Sequence, residues 1–267
     1  MNPLRFGVLS YVNCLPATLA LERGEVGQDQ LILRKGTPAQ LNQAIRTGEL
    51  DVSVVSAAEY LENQELYHRI EEIALWCDGP VRSVCLYSQL SQAQLAGGAI
   101  KLMVTPESAT SVALARMLTG RATTTPFTTL EQAESALREG QTDGVLLIGD
   151  TALDPPAWTR NLQIHDLGGW WKDDTGFPMT YAVWVARRDL SKEGFDLARE
   201  LLARSCDWGE QAMDEVVAEA HRRSGLAVGE LQRYFEGLQF RVTPESRAGY
   251  RRFKEKFSTP NLVRAGE

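Results

Sequence analysis

Thr37-Pro-Ala-Gln-Leu-Asn-Gln-Ala-Ile-Arg-Thr-Gly48-Glu-Leu-Asp51-Val-Ser-Val-Val-Ser56 is the stretch from which the fold is read. Thr37 followed by Pro38 is a helix start, with a hydroxyl cap and a ring that fits the first helical position. Leu41, Ala44 and Ile45 recur at helical spacing, and Gly48 is a helix stop. Val52 to Val55 then reads as a short buried strand that ends in a serine. The same grammar returns at Thr129-Leu-Glu-Gln-Ala-Glu-Ser-Ala-Leu-Arg-Glu-Gly140-Gln-Thr-Asp143-Gly-Val-Leu-Leu-Ile-Gly149-Asp150. A strand–loop–helix unit precedes each copy, at Phe6–Pro16 and at Leu102–Ser111. Strand–helix–strand steps in succession imply a parallel sheet with helices on its faces.

Two such lobes, each with polar loops at its strand ends, predict a ligand cleft between them. The expected fold is α/β and two-lobed, each lobe a mainly parallel sheet flanked by helices. Residues 1–88 plus 188–267 are assigned to the first lobe and 89–187 to the second, with two interlobe crossovers near 88–97 and 182–188. Strands are expected at 70–76, 84–87 and 181–186. From 191 the period is helical, with Leu197, Leu201, Leu202 and Trp208 inward, then Leu231, Tyr234 and Phe235. Thr243-Pro-Glu starts a last helix with Tyr250 and Phe253 on its apolar face, and 258–267 reads as a loose tail.

The chain has 267 residues, 43% of them hydrophobic, and a formal net charge of −7. The acidic balance argues against a nucleic-acid or anionic-membrane partner, since both favour basic surfaces. A small anion remains open, because it feels local donors more than net charge. Met1-Asn-Pro-Leu-Arg5 leads straight into a strand without a basic and then apolar leader, so no signal peptide is expected. No apolar run reaches the length of a membrane span. Cys14, Cys77, Cys85 and Cys206 are scattered and fit free thiols in a cytoplasmic protein.

Ligands of open α/β sheets bind beyond the carboxyl ends of the strands. That rule selects Ser10, Tyr11, Asn13 and Ser56, then Ser83 and Thr105, then Ser108, Thr110 and Ser111, and finally Gly149 and Asp150. The set is rich in hydroxyls and poor in charge. Ser108 to Ser111 opens a helix and fits either a plain cap or a grip on a carboxylate. Asn13 fits either a cap for the helix at Pro16 or a cleft amide that donates and accepts. Arg82 and Ser83 fit a solvated turn or an anion contact. Trp170 and Trp171, near glycine-rich turns, suggest one core residue and one half-exposed residue.

Several chemistries lack their residues. His68, His165 and His221 are isolated and have no metal-ligand spacing. There is no P-loop, no dinucleotide fingerprint after the first strand, and no nucleophile elbow. No basic group lies near Cys14 in sequence to lower its pKa.

Taken in order, Ser10-Tyr-Val-Asn13-Cys-Leu-Pro16, Gly48-Glu-Leu-Asp51, Ser83-Val-Cys-Leu-Tyr-Ser88, Ser108-Ala-Thr-Ser111, Leu147-Ile-Gly-Asp150-Thr-Ala-Leu and Asp166-Leu-Gly…Trp171…Thr175-Gly-Phe-Pro178 resemble the chorismate dehydratase family. That family opens the futalosine route to menaquinone. The resemblance implies a type 2 periplasmic-binding-protein fold and loss of water from chorismate, giving 3-[(1-carboxyvinyl)oxy]benzoate. It implies no metal and no cofactor. It points to Asn13 and Ser83 as catalytic, and to Gly176 and Phe177 as further substrate contacts beside the strand-end residues. Two other readings share this fold: a cytoplasmic small-anion binding protein, and the enzyme of the same route that cleaves cyclic dehypoxanthinyl futalosine.

Overall fold

Both copies of the repeat fold as helix, glycine stop and strand in the computed structural model, which describes residues 2–120 and 122–259. The chain begins with β1 (Leu4–Leu9), α1 (Leu15–Arg23), β2 (Leu31–Gly36), α2 (Pro38–Arg46), β3 (Val52–Ser56), α3 (Ala57–Glu62) and β4 (Tyr67–Cys77). It continues with β5 (Val84–Ser88), α4 (Gln92–Gly97), β6 (Lys101–Val104), α5 (Ala109–Thr119), β7 (Thr123–Pro126), α6 (Leu130–Arg138), β8 (Gly144–Ile148) and α7 (Asp150–Leu153). Then come β9 (Gln163–Asp166), α8 (Leu167–Thr175), β10 (Met179–Arg187), α9 (Lys192–Gln211), α10 (Met213–Ser224), α11 (Val228–Gly237), β11 (Gln239–Arg241) and α12 (Pro244–Phe257). Residues 260–267, most of the expected tail, lie outside the described residues.

The chain divides into two units, one of Met1–Trp76 with Tyr181–Val242 and one of Cys77–Thr180 with the segment from Thr243. It therefore passes between units three times, at 76/77, 180/181 and 242/243, where the sequence suggested two passages. The boundary near 88 is corrected because β5 pairs with β8 and β9, which places 84–88 in the second unit. The last helix is corrected for a packing reason: Gly249 of α12 lies so close to Pro178 that a Cβ there would sit 2.1 Å from its carbonyl oxygen.

The first unit holds a six-stranded sheet in the order β11-β4-β10-β3-β1-β2, the second a five-stranded sheet in the order β7-β6-β8-β5-β9. Each sheet is mixed. The repeat supplies the parallel half, β2-β1-β3 in one and β7-β6-β8 in the other. The strand beside each parallel half runs the other way: β10 against β3, and β5 against β8.

The two copies are locked at the same point. Asp51 donates its N–H to the Arg5 carbonyl at 2.8 Å and accepts the Arg5 N–H at 2.9 Å. Asp143 donates to the Lys101 carbonyl at 2.8 Å and accepts the Lys101 N–H at 2.7 Å. Each aspartate thus ties the start of the third strand of its parallel half to the start of the central strand. Gly48 and Gly140 precede them with φ of +77° and +70°, the left-handed conformation that a helix stop needs.

Candidate functional site

In the first unit, Ser10, Asn13 and Ser56 collect beyond the carboxyl ends of the neighbouring parallel strands β1 and β3. Ser10 is exposed, and its N–H donates to the Gly36 carbonyl at 3.0 Å. Tyr11 leads into a short 3-10 turn at Val12–Cys14. α1 is capped by Cys14 with no side-chain bond, so Asn13 is not the cap of that helix. Instead the Asn13 Oδ1 is buried without a hydrogen-bond partner. A buried polar atom without a partner costs about 1–3 kcal/mol, so it calls for a reason.

Ser56 has the plainer role. Its hydroxyl caps α3, accepting the Glu59 N–H at 3.2 Å. Beneath it lies a polar cluster that sequence reasoning missed. The buried Glu59 carboxylate meets Arg46 at 2.8 Å, the Tyr67 hydroxyl at 3.1 Å and the Asn63 amide at 3.0 Å. Burial pushes the Glu59 carboxyl above the usual carboxylate range, against the pull of Arg46.

In the second unit, the antiparallel run of β5 places its amino end beside the carboxyl end of β8, with Val84 paired to Ile148. Ser83 and Gly149 are therefore neighbours, and the Gly149 N–H donates to the Ser83 carbonyl at 2.8 Å. Ser83 is buried and Arg82 is exposed. Ser108 caps α5, accepting the Ser111 N–H at 3.2 Å, and the two hydroxyls lie 2.8 Å apart. Thr110 is fully buried. Thr105 accepts the Glu107 N–H at 3.2 Å.

A cavity of about 410 Å³ opens at the carboxyl ends of β6, β7 and β8. Thr105 lines it, with Glu107, Thr128, Thr129, Ile148 and Thr151. Thr128, Thr129 and Thr151 were missed. The signal for two of them was the hydroxyl-rich end of Thr123-Thr-Thr-Pro-Phe-Thr-Thr129, to which the strand-end rule applies equally. A larger hollow of about 590 Å³ lies at the amino end of β1, around Leu4, Arg5 and Asp51, and none of the predicted residues lines it.

The segment read as glycine-rich turns is the helix α8, and the half-exposed tryptophan is corrected: Trp170 and Trp171 are both buried. The helix forms because Asp166 caps it, accepting the N–H groups of Gly168 and Gly169 at 2.9 and 3.0 Å. Gly176 ends it with φ of +75°, and Phe177 follows, 38% exposed. These two lie at the opposite end of the nine-residue helix, roughly 13 Å along its axis from Asp166.

The four cysteines are free and buried. Burial pushes the Cys14 thiol far up and the Cys206 thiol up to about 12, so neither is a ready nucleophile. Among the described residues no group of three or more His, Cys, Asp or Glu side chains is placed to hold a metal ion, and no helix is long and apolar enough to cross a membrane.

A family model described as menaquinone biosynthesis matches residues 4–259. The chain is 29% identical to the chorismate dehydratase of Thermus thermophilus, over 97% of both chains. Its match to the 1,4-dihydroxy-6-naphtoate synthase of the same organism is 30% over 90 residues, about a third of each. Among solved structures, a protein of Archaeoglobus fulgidus superposes with a TM-score of 0.79 at 17% identity, covering 96% of both chains. The periplasmic aliphatic sulphonate binding protein of Escherichia coli gives 0.68 at 15% identity, covering 99% of this chain and 94% of that one. At these identities the structural matches speak for a periplasmic-binding-protein fold alone.

Proposed function

The chain belongs to the menaquinone-biosynthesis family, and on that premise we propose that it is a chorismate dehydratase, a hydro-lyase that converts chorismate to 3-[(1-carboxyvinyl)oxy]benzoate. The observation that carries this reading is the extent of the match to the Thermus thermophilus dehydratase, which runs the length of both chains. The naphtoate synthase matches over only a third, which favours the dehydratase over the later step.

The reaction needs little acid–base help. A hydroxyl leaves C4, a proton leaves C3, and the ring becomes aromatic, which supplies the driving force. The protein's task is to hold a dianion in one pose and to keep it from competing rearrangement. A site of hydroxyls and amides suits that task. The dianion has a single hydrogen-bond donor, its ring hydroxyl, and the Asn13 Oδ1 is a buried acceptor without one. In our reading Asn13 accepts from that hydroxyl and fixes the ring. The substrate's own enolpyruvyl carboxylate then takes the C3 proton, since an amide is too weak a base. Ser83 steadies a carboxylate or the departing hydroxyl. Thr105 and the Ser108–Ser111 helix start hold the other carboxylate through hydroxyl and N–H donors. Four free, buried cysteines fit a reducing compartment, which supports a cytoplasmic location.

The test is direct. Purified protein is mixed with chorismate and the solution is followed by ultraviolet absorbance and mass. Loss of one water with appearance of an aromatic spectrum is expected. An unchanged chorismate spectrum overturns the dehydratase, and tight binding without turnover would leave an anion-binding protein.

A further inference from the structure

Ser83 is reached through a strained turn. Arg82, which is not glycine, has φ of +64°, and the Ser83 N–H donates to the Val81 carbonyl at 2.8 Å. Together these describe the left-handed form of the γ-turn, which is rare and strained. A strained turn persists only where its surroundings over-determine it. Here the surroundings include the Cys85 thiol, which donates to the Arg82 carbonyl at 3.2 Å, and one carboxylate from a distant segment. Asp166 Oδ2 accepts the Arg82 N–H at 2.6 Å, and Oδ1 accepts the Val81 N–H at 3.0 Å. The same Oδ1 takes the Gly168 and Gly169 N–H groups that begin α8. Beyond the turn, Ser83 is held by the Gly149 N–H on its carbonyl.

We propose that Asp166 is a positioning residue for Ser83: by binding the backbone of Val81 and Arg82 it keeps Arg82 left-handed and so sets where the Ser83 hydroxyl points. The inference rests on the dehydratase reading for its effect on rate, but not for its effect on the turn. The two oxygens divide the work. Oδ1 serves the α8 cap and Val81, and Oδ2 serves Arg82. Asp166→Asn keeps an oxygen for the cap, a position that asparagine fills well, and turns the other atom into an amide N–H₂ that cannot accept from Arg82.

The experiment is a double-mutant cycle of Asp166→Asn with Arg82→Gly. Glycine adopts a positive φ without strain, so it relieves the turn of its need for the carboxylate. In the Arg82 protein, Asp166→Asn is expected to lower kcat on the order of tenfold or more, because a misplaced contact group costs rate steeply. KM should stay within about threefold, as for a group whose loss is felt in the transition state. In the Arg82→Gly background the same change should cost less than about threefold, the coupling expected of residues in one network. Equal losses in both backgrounds would reduce Asp166 to a helix cap and overturn the proposal. Amide exchange gives the second readout. The Ser83 N–H should exchange faster in Asp166→Asn and recover in the double variant. If the unmodified protein leaves chorismate untouched, the dehydratase reading falls while exchange at Ser83 still decides this one. Unchanged exchange at Ser83 in Asp166→Asn overturns it whatever the reaction.

Discussion

Asn13 shows how far single residues were legible. A turn of Tyr-Val-Asn-Cys-Leu-Pro fits a cap and a cleft amide equally well, because both need a short polar side chain before a helix. The difference is one hydrogen bond, and the helix α1 is capped without it. What is left is a buried Oδ1 with no partner, held in place by a fold that accepts the cost. If that oxygen takes the substrate hydroxyl, Asn13→Ala should lower kcat by on the order of 10²-fold, the usual loss for one preorganised polar contact. Asn13→Asp retains the acceptor but brings a negative charge to a dianion, so it should raise KM as well. Steady-state rates on chorismate for both variants check this, and near-normal values in both would remove Asn13 from the reaction. Ser108 does cap its helix. Its hydroxyl accepts the Ser111 N–H and lies 2.8 Å from the Ser111 hydroxyl, so here the cap is present, and an accepting hydroxyl still has its O–H to donate to a carboxylate.

At the scale of elements the repeat was legible because each step is local. A cap, an apolar stripe, a glycine stop and a β-branched run lie within about twenty residues. Of the strands that pair antiparallel, β4, β5 and β10 were expected, while the short β9 and β11 were not; β5 and β10 were assigned to the wrong sheet, since pairing joins residues far apart: Val84 meets Ile148, and Ala182 meets Ser56. α8 was missed because Gly168 and Gly169 read as a turn, and only the bonds they donate to Asp166 make them a helix start. The shared grammar of the two copies has a physical purpose at Asp51 and Asp143, which join the first and third strands of each parallel half. At Asp51 burial alone would raise the carboxyl. The Arg5 side-chain and backbone bonds outweigh it and hold the group below its ordinary value. A depressed carboxylate contributes stability above its unfolded pKa, about 3.9, and that stability is lost as pH falls through the lower folded value. Asp51→Asn cannot take part in this titration. The gap in thermal midpoint between the unmodified protein and Asp51→Asn should therefore be widest near neutral pH and close as pH drops below about 4. A gap that is constant with pH would mean that the carboxylate's charge does not matter there.

At the scale of the whole molecule, the sequence indicated two units built on one plan, and the chain's route between them was only partly visible. The amphipathic pattern of α12 shows that Phe253 is buried, but a helix pattern does not name the sheet it covers. The structure does: Phe253 is fully buried with its ring 6.1 Å from that of Trp171, and Gly249 sits against the Pro178 carbonyl, all within the second unit. Lys256 adds an ion pair to Asp174 at 3.2 Å and lies over the Trp171 ring. The second unit is thus completed by a segment that follows the whole of the first unit in sequence. Losing it uncovers Trp171 and removes the Phe253 side chain, whose burial alone is worth about 1.5–3 kcal/mol. A chain ended after Val242 should then show a lower thermal midpoint and a local pattern of damage. Amide exchange should accelerate across 77–180, above all in α8 and the strand start at Met179, while 1–76 and 181–242 keep their protection. Damage centred on the first unit instead would place α12 where the helical pattern first suggested it, and would undo the three-pass route of the chain.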